Sequence, residues 1–286
     1  MHSEHPQKPE PALYVVATPI GNLRDITLRA LEVLAAADVI AAEDTRNTAH
    51  LLAHHGISAH RLMAVHQHNE RSAAEKIVAL LREGQSVAFV SDAGTPAVSD
   101  PGALLVQAVR AAGLRVIPIP GANAAIAALS ASGLDCPHFL FHGFLPARGA
   151  ARRAALESLR GQTCTLVFYE APHRIVECVT DLCAVLGAER QIVLAREITK
   201  LFEDIHRCPL GEALKWLNGD PDNRRGEFVL LVSGAIPQQG LPAEARHVIE
   251  TLLDELPLKQ AVKLAARISG AGRNELYELA LQIRNG

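Results

Sequence analysis

Short apolar runs, separated by polar loops and amphipathic helices, dominate the first half of the chain. These runs do not alternate between apolar and polar residues as a half-exposed strand does. Such uniform apolar runs are typical of central strands in a parallel sheet. A polar or glycine-containing loop and a helical pattern follow, and this βα alternation predicts a mostly parallel sheet whose loops share one edge. The predicted strands are Leu13–Ala17, Val39–Ala42, Val87–Val90 and Val116–Ile119, and helical patterns run through Leu28 to Leu34, Ala73 to Arg82 and Ala103 to Ala112.

The pattern changes after about Pro137, where strands follow one another with fewer helices between them. This predicts a second α/β unit, and residues 236–242 read as a linker to a small helical appendage. We expect domains at 12–135, 136–235 and 241–286. The predicted elements are strands Phe139–Phe141, Thr165–Tyr169, Ile192–Arg196, Phe202–His206 and Glu227–Val232, and helices Ala243–Glu255, Lys259–Ile268 and Asn274–Arg284.

The loop SDAGTPAVSDPG at 91–102 directly follows a predicted central strand. Ligand crevices in open α/β sheets lie beyond the carboxyl ends of such strands. Gly94 lets the backbone approach a ligand, Pro96 stiffens the turn and Asp92 offers a carboxylate acceptor. We therefore expect a ligand site here rather than a plain turn.

Asp100 lies in the same loop and has two interpretations. Its carboxylate could face the ligand, or it could cap a helix that begins at Pro101. The sequence favours the cap.

Composition narrows the class of protein. The 286 residues are 49% hydrophobic, enough for about two domains. Five cysteines without a CxxC pair predict reduced thiols, and no apolar run reaches the roughly 20 residues of a membrane span, so we expect a cytoplasmic protein without membrane contact. The net charge of −3 argues against a protein that coats nucleic acid along its length, and a content of 4% aromatic residues leaves few side chains for stacking on bases. Neither GxGxxG nor GxxxxGK[ST] is present, and His66 and His68 lack further ligands, so we expect no metal site.

Charged residues concentrate at four strand ends: EDTR at 43–46, GFLPARGAARR at 143–153, YEAPHR at 169–174 and AREITK at 195–200. Such clusters at strand ends of both predicted α/β units predict a polar substrate, and the arginines at 148, 152 and 153 could meet phosphates. For the arginines at 148, 152 and 153, a basic helix start on the surface is an equal alternative.

Three cations, Lys259, Lys263 and Arg267, fall at i, i+4 and i+8 and so share one helix face. They could contact phosphates, or the face could simply be solvated.

Eight motifs in order carry a family resemblance. They are TPIGNLRDITLRAL (18–31), AAEDTR (41–46), SDAGTPAVSDPG (91–102), IPGANAAIAALSASG (119–133), FHGFLPARG (141–149), YEAPHRI (169–175), AREITK (195–200) and GEFVLLV (226–232). Together they resemble the bacterial ribosomal RNA small subunit methyltransferase I family of the tetrapyrrole methylase superfamily. The resemblance implies two α/β domains with a cofactor cleft between them, a C-terminal helical domain and a homodimer. It also implies S-adenosylmethionine-dependent 2′-O-methylation of a cytidine in 16S ribosomal RNA near the decoding centre, within the small ribosomal subunit.

The resemblance also implies where the cofactor binds. The chain departs from the family after Pro120-Gly121, where Ala122 replaces a usual proline and Asn123 a usual serine or cysteine. This change should loosen the turn and lets Asn123 hydrogen-bond differently. The implied cofactor-binding residues are Pro19, Gly21, Asp92, Ala93, Gly94, Thr95, Pro96, Asn123, Ala124, Ala125 and Tyr169.

Methyl transfer to a ribose hydroxyl depends mainly on positioning, and a base or a cation at the developing alkoxide should help. Our hypothesis makes Glu170 the base, with Arg174 and Lys200 holding phosphate or the oxyanion. The alternative, an ion pair of Glu170 with Arg174 or Arg196 that shapes the loop, is slightly favoured. The candidate RNA-binding residues are Arg46, Arg148, Arg152, Lys259, Lys263 and Arg267.

Two other functions stay open. A methyltransferase of small tetrapyrroles would keep the 91–102 loop but would not need the basic appendage. A non-enzymatic ribosome assembly factor would bind RNA without consuming a cofactor.

Overall fold

The computed structural model describes residues 9–135, 137–236 and 243–285. The chain divides into two compact units, and the boundary in the sequence lies between Ala235 and Ile236. The first unit contains two separate β-sheets, and the boundary expected at 135/136 falls between their strands. The second unit is helical.

Five parallel strands form the first sheet: β1 (Leu13–Val16), β2 (Val39–Ala42), β3 (Leu62–Ala64), β4 (Val87–Val90) and β5 (Val116–Ile119). Its helices are α1 (Leu28–Ala36), α2 (Thr45–His54), α3 (Glu70–Arg82), α4 (Ala103–Ala111) and α5 (Ala124–Ala131). The strand order is β3-β2-β4-β1-β5, so β4, with the loop that follows it, occupies the centre. The prediction of a parallel sheet is confirmed.

The three central strands, β1, β2 and β4, are covered on both faces, which explains why their sequences do not alternate between apolar and polar residues. Leu13 packs with Ile77 and Phe89 in one apolar cluster, whereas its neighbour Tyr14 packs with Leu34 in a second cluster on the opposite face. A strand buried on both sides needs apolar residues at every position.

The second sheet is mixed. Its strands are β6 (Phe139–Phe144), β7 (Thr165–Glu170), β8 (Gln191–Arg196), β9 (Asp204–Pro209) and β10 (Phe228–Val232), in the order β6-β7-β10-β8-β9. Only the β6–β7 pair is parallel. Helices α6 (Gly149–Leu159), α7 (Ile175–Leu186) and α8 (Leu210–Gly219), with a short 3₁₀ helix at Pro221–Arg224, complete the unit.

Helix α5 joins the two sheets into one unit. Its Ala125 and Ala128 are buried against Val167, Val193 and Val229 of the second sheet. The sequence AAIAALSA has no polar stripe because this helix lies between layers rather than at the surface.

Three helices, α9 (Ala243–Glu255), α10 (Leu258–Ser269) and α11 (Arg273–Asn285), form the second unit. Their core includes Ile249, Val262 and Leu276. Gly270 ends α10 in the left-handed conformation that a glycine adopts at little cost. In the described ranges no helix has both the length and the apolar content needed to cross a membrane.

Candidate functional site

Two adjoining cavities lie at the carboxyl ends of the first sheet's strands. Cavity 1, of about 300 Å³, is walled by both sheets, and cavity 2, of about 360 Å³, lies between the β1 turn, the β4 loop and α2. Four residues line both cavities and so form a shared wall: Ile20, Ala93, Lys200 and Glu227.

The loops that end three parallel strands are hydrogen-bonded to one another. The Thr18 amide donates to the Gly94 carbonyl at 2.8 Å, and the Gly94 amide donates back at 3.0 Å. Gly94 adopts φ +76°, which glycine tolerates without strain. The Thr95 hydroxyl donates to the Ala122 carbonyl at 3.2 Å, so the β4 loop is tied to the β1 turn and to the β5 loop.

Contacts between the sheets close the same region. The Ala125 amide at the start of α5 donates to the Tyr169 hydroxyl at 3.3 Å. Gly21 lies so near Lys200 that an added Cβ would stand 2.5 Å from the lysine Cγ, a distance that real Cβ atoms do not show. Glycine at position 21 therefore lets the β1 turn approach the second sheet.

Backbone strain concentrates beside the cavities. Among the described residues, the non-glycine residues with positive φ are Ala97, Ser99, Glu197 and Thr199, between +51° and +68°. They lie in the β4 loop and in the AREITK loop that faces it. Each such conformation costs about 1–2 kcal/mol, and such strain tends to cluster at ligand sites.

Four carboxylates gather around the β4 loop. Asp92 Oδ1 accepts the Asp44 amide at 3.1 Å, and Glu43 Oε2 accepts the Asp92 amide at 3.3 Å. Burial raises the pKa of Glu43 above its ordinary value, and the charge of Asp92 adds to the effect. Burial, together with the charges of Glu43 and Asp92, raises the pKa of Asp100 to about 6. The negative charge here favours a cationic ligand.

The prediction that Asp100 caps a helix from Pro101 is wrong. Helix α4 begins at Ala103, Gly102 occupies the cap position, and Asp100 lines cavity 1. The cap comes instead from Glu70, 32 residues earlier in the chain.

Glu70 Oε1 accepts the amides of Gly102 at 2.9 Å, Leu104 at 2.8 Å and Leu105 at 3.2 Å. Its side chain is buried although it begins an otherwise amphipathic helix, α3. Sequence reasoning missed this residue because a cap that arrives from a distant helix leaves no local signal.

Glu170 and Arg174 form an ion pair. The Glu170 carboxylate has no exposed surface, stands 3.1 Å from Arg174 Nε, and accepts the Ala171 amide at 2.9 Å. Arg174 Nη2 also donates to the Leu145 carbonyl at 2.6 Å. This geometry favours the alternative interpretation, in which the pair shapes the loop, over a base at Glu170 and a phosphate ligand at Arg174.

Lys200 stands in the shared wall. Its ammonium contacts Glu197 Oε1 at 2.9 Å and Glu227 Oε2 at 2.8 Å. Burial opposes the charged form, but hydrogen bonds to Glu227 and Glu197 outweigh it, so the pKa of Lys200 is raised. The site therefore keeps a protonated lysine between the cavities.

Arg152, a candidate RNA-binding residue, is buried in an ion-pair network. Its side chain is 3% exposed, and Nε binds Asp181 Oδ2 at 2.7 Å while Nη2 lies 3.4 Å from Glu177. Arg148 precedes α6 with an extended backbone and is exposed, so it does not share the buried environment of Arg152 one helical turn later. Arg46 is 88% exposed and pairs with Asp44 at 2.6 Å.

The cations of α10 share a solvent-facing surface. Lys259, Lys263 and Arg267 are exposed, whereas Ala261 and Ala265 on the other side of the helix are buried. The spacing thus produces the continuous basic face that the sequence predicts.

The residues implied as cofactor ligands divide between the cavities. Ala93 lines both, while Pro96 and Ala125 line neither. Cavity 1 is lined by Gly94, Thr95, Asn123, Ala124 and Tyr169, and cavity 2 is lined by Pro19, Gly21 and Asp92.

No group of three or more potential metal ligands occurs within residues 9–135, 137–236 and 243–285.

Known proteins resemble both parts of the chain. Residues 12–214 match the tetrapyrrole (corrin/porphyrin) methylases, and residues 239–284 match the RsmI C-terminal HTH domain. Ribosomal RNA small subunit methyltransferase I of Escherichia coli O157:H7 is 54% identical over 94% of this chain and 94% of its own, and that of Pseudomonas aeruginosa is 50% identical over 94% and 96%. The structure of uroporphyrin-III C-methyl transferase from Thermus thermophilus complexed with S-adenyl homocysteine shares the fold, with TM-score 0.54 at 19% identity over 77% of this chain and 96% of that one.

Proposed function

Because the chain belongs to the ribosomal RNA small subunit methyltransferases I, within the tetrapyrrole methylase family, we propose that it methylates RNA with S-adenosylmethionine as the methyl donor. The acceptor that we propose is the ribose 2′-hydroxyl of a cytidine in 16S ribosomal RNA near the decoding centre. The observation that carries the proposal is the pair of adjoining cavities with Lys200 in their shared wall. A donor and an acceptor need two sites that open onto one another.

Cavity 1 fits the cofactor. Its volume is within the usual range for small-molecule sites, about 300–1,000 Å³, and Phe144, Phe228 and Val229 give it an apolar surface for an adenine ring. Asp100 lines the same cavity and has no ion-pair partner among the described residues, so its carboxylate is available to a cationic ligand. Asn123 uses its side-chain oxygen to cap α5, accepting the Ile126 amide at 3.1 Å, which leaves its backbone as the cofactor contact.

The protein supplies position and charge to the reaction. When bound, S-adenosylmethionine provides the methyl carbon and leaves as a neutral thioether. The 2′-hydroxyl oxygen gains the methyl group and releases its proton to solvent water. Lys200 stabilises the negative charge that develops on that oxygen, while the Glu170–Arg174 pair holds the loop of Tyr169 in place.

RNA contacts come from exposed cations. In the first unit these are Arg46, in the first turn of α2, and Arg148, which precedes α6. In the second unit they are the basic face of α10, formed by Lys259, Lys263 and Arg267. A helix-turn-helix domain is a common carrier of nucleic-acid contacts, which supports this role for the second unit. We place the enzyme in the cytoplasm, where the small ribosomal subunit is its partner.

A homodimer is also part of the proposal. Exposed apolar side chains at Leu201 and Phe202 offer surface for a second copy. Light scattering that gives the mass of one chain at micromolar concentration would remove this element.

The decisive experiment measures transfer of labelled methyl to small subunits from cells that lack this modification, with naked 16S RNA and a tetrapyrrole as alternative acceptors. We expect ribose methylation of the assembled subunit. Cofactor binding without any RNA methylation would contradict the proposal, and methylation of the tetrapyrrole alone would replace it with the small-molecule activity.

A further inference from the structure

Helix α2 brings two free polar side chains to cavity 2. Asn47 and His50, one helical turn apart, both line it and are exposed. No hydrogen bond or ion pair engages either side chain within the described part of the chain. Thr48 and Leu51 of the same helix complete this wall and are buried. Polar groups without protein partners in a concave site are available to a ligand.

We propose that cavity 2 receives the target nucleotide, with its base against Asn47 and His50 and its ribose toward the shared wall. The inference rests on the proposed function and names the binding site of its acceptor. The carboxamide of Asn47 carries a donor and an acceptor side by side, which match the amino group and ring nitrogen on the pairing edge of cytosine. The His50 imidazole can stack on the ring or donate to the cytosine carbonyl.

Charge orients the nucleotide in this cavity. Arg46 precedes Asn47 on α2, and its side chain is 88% exposed and forms an ion pair with Asp44 at 2.6 Å. Surface pairs are worth about 0–1 kcal/mol, so a phosphate can replace the carboxylate. Lys200 stands in the shared wall, and Asp92 lines the cavity beside the β4 loop. The phosphodiester therefore lies toward Arg46, and the ribose lies toward Lys200.

The carboxamide of Asn47 can rotate by half a turn, which would match uracil as well as cytosine. We therefore expect loss of Asn47 to weaken acceptor binding without changing the choice between the two pyrimidines. His50 should act in the same direction, since base–aromatic contacts are lost on substitution by alanine.

The test compares Asn47→Ala and His50→Ala with His54→Ala, a control on the same helix whose exposed ring does not line cavity 2. For small subunits that lack the modification, KM should rise about tenfold or more in the first two variants, with a smaller change in kcat. Calorimetry should give an unchanged Kd for S-adenosylmethionine. The control should match the wild type in all three quantities.

Three outcomes separate this inference from the proposed function. If the wild type methylates small subunits but Asn47→Ala and His50→Ala keep its KM, the nucleotide does not bind here. If both variants lose cofactor affinity, cavity 2 holds the cofactor and the inference is overturned. If the wild type itself transfers no methyl group to RNA, the proposed function fails first.

Discussion

The Tyr169 hydroxyl accepts a hydrogen bond from the Ala125 amide at 3.3 Å and thereby joins the second sheet to the first turn of α5. Tyr169 lies at the end of β7 and Ala125 near the start of α5, whose other residues pack on the second sheet. Helix starts leave amides without partners in the helix itself, so an acceptor from another element stabilises them. The contact borders cavity 1, which links the packing of the sheets to ligand binding.

Tyr169→Phe should lower both stability and cofactor affinity. Loss of one hydrogen bond costs about 0.5–1.5 kcal/mol, and both Tyr169 and Ala124, the residue before the freed Ala125 amide, line cavity 1. Thermal unfolding and calorimetry with S-adenosylmethionine measure the two effects. Tyr14→Phe is the matched control, because its hydroxyl donates to the Glu10 carbonyl at 3.0 Å and does not line the cavities. Equal losses of affinity in both variants would show that the contact has no special relation to the site.

Glu70→Ala should destabilise the α4 start and the β4 loop together. Three amides lose their acceptor, and the charge that stabilises the helix N-terminus disappears, so we expect a loss of about 1–3 kcal/mol. Chemical denaturation measures this loss against Glu75→Ala, an exposed glutamate on the same helix. Glu70→Gln keeps an acceptor oxygen and should lose less. A stability of Glu70→Ala no lower than that of the Glu75 control would contradict the capping role.

The predicted fold follows from local pattern wherever burial is uniform. The apolar runs at Val39–Ala42 and Val87–Val90 become strands with the predicted bounds because both are buried on both faces, and the run at Val116–Ile119 also keeps its predicted bounds although it forms an edge strand with Pro118 exposed. Strand β3, at the sheet edge, was not predicted because its three residues, Leu62–Ala64, form too short an apolar segment to stand out as a strand. The strand expected from Phe202 begins at Asp204, and Phe202 is exposed.

The candidate site was predictable as a set of loops but not as a set of side-chain roles. Motifs locate the loops because strand ends of a parallel sheet meet at one edge. Roles depend on partners that the sequence does not reveal. Arg152 is buried beside Asp181, Glu70 acts from 32 residues away, and the side chain of Asn47 makes no hydrogen bond in the part of the chain that the structure describes.

Asp100→Asn should stabilise the cofactor-free protein at pH 7.5. Burial raises the pKa of Asp100 from 3.8 to about 6, so the charged form is disfavoured in the folded state. The wild type regains this stability as pH falls through about 6, and the advantage of the variant should vanish near pH 4. Melting temperatures at the two pH values check this sign. Asp25→Asn, at an exposed position, is the control.

The same substitution should weaken binding of S-adenosylmethionine more than that of S-adenosylhomocysteine, whose sulfur carries no charge. A carboxylate in cavity 1 attracts the cation, and asparagine does not. An equal change in the two Kd values would show that Asp100 does not act on the sulfonium charge.

Arg152→Ala should destabilise the fold by about 1–3 kcal/mol, since the buried Asp181 loses its shortest ion pair but keeps the contact with Arg153 at 3.1 Å. Arg148→Ala removes an exposed arginine from the residue before α6 and should leave stability almost unchanged. Urea denaturation separates the two. If the Arg152→Ala protein were as stable as the wild type but bound RNA more weakly, Arg152 would be an RNA contact and not a structural ion-pair partner.

Replacing Lys259, Lys263 and Arg267 together with alanine should weaken binding to the small subunit and flatten its dependence on salt. Each phosphate contact contributes about 0.7–0.9 to the slope of log K against log salt, so three contacts contribute about 2–3. The charge-conserving triple Lys259→Arg, Lys263→Arg and Arg267→Lys should keep the wild-type slope. Because the three side chains are exposed and make no ion pair in the described residues, both proteins should remain folded and keep the wild-type Kd for S-adenosylmethionine. An alanine variant with an unchanged slope would mean that this face of α10 is solvated in the complex and that other cations carry the electrostatic contacts.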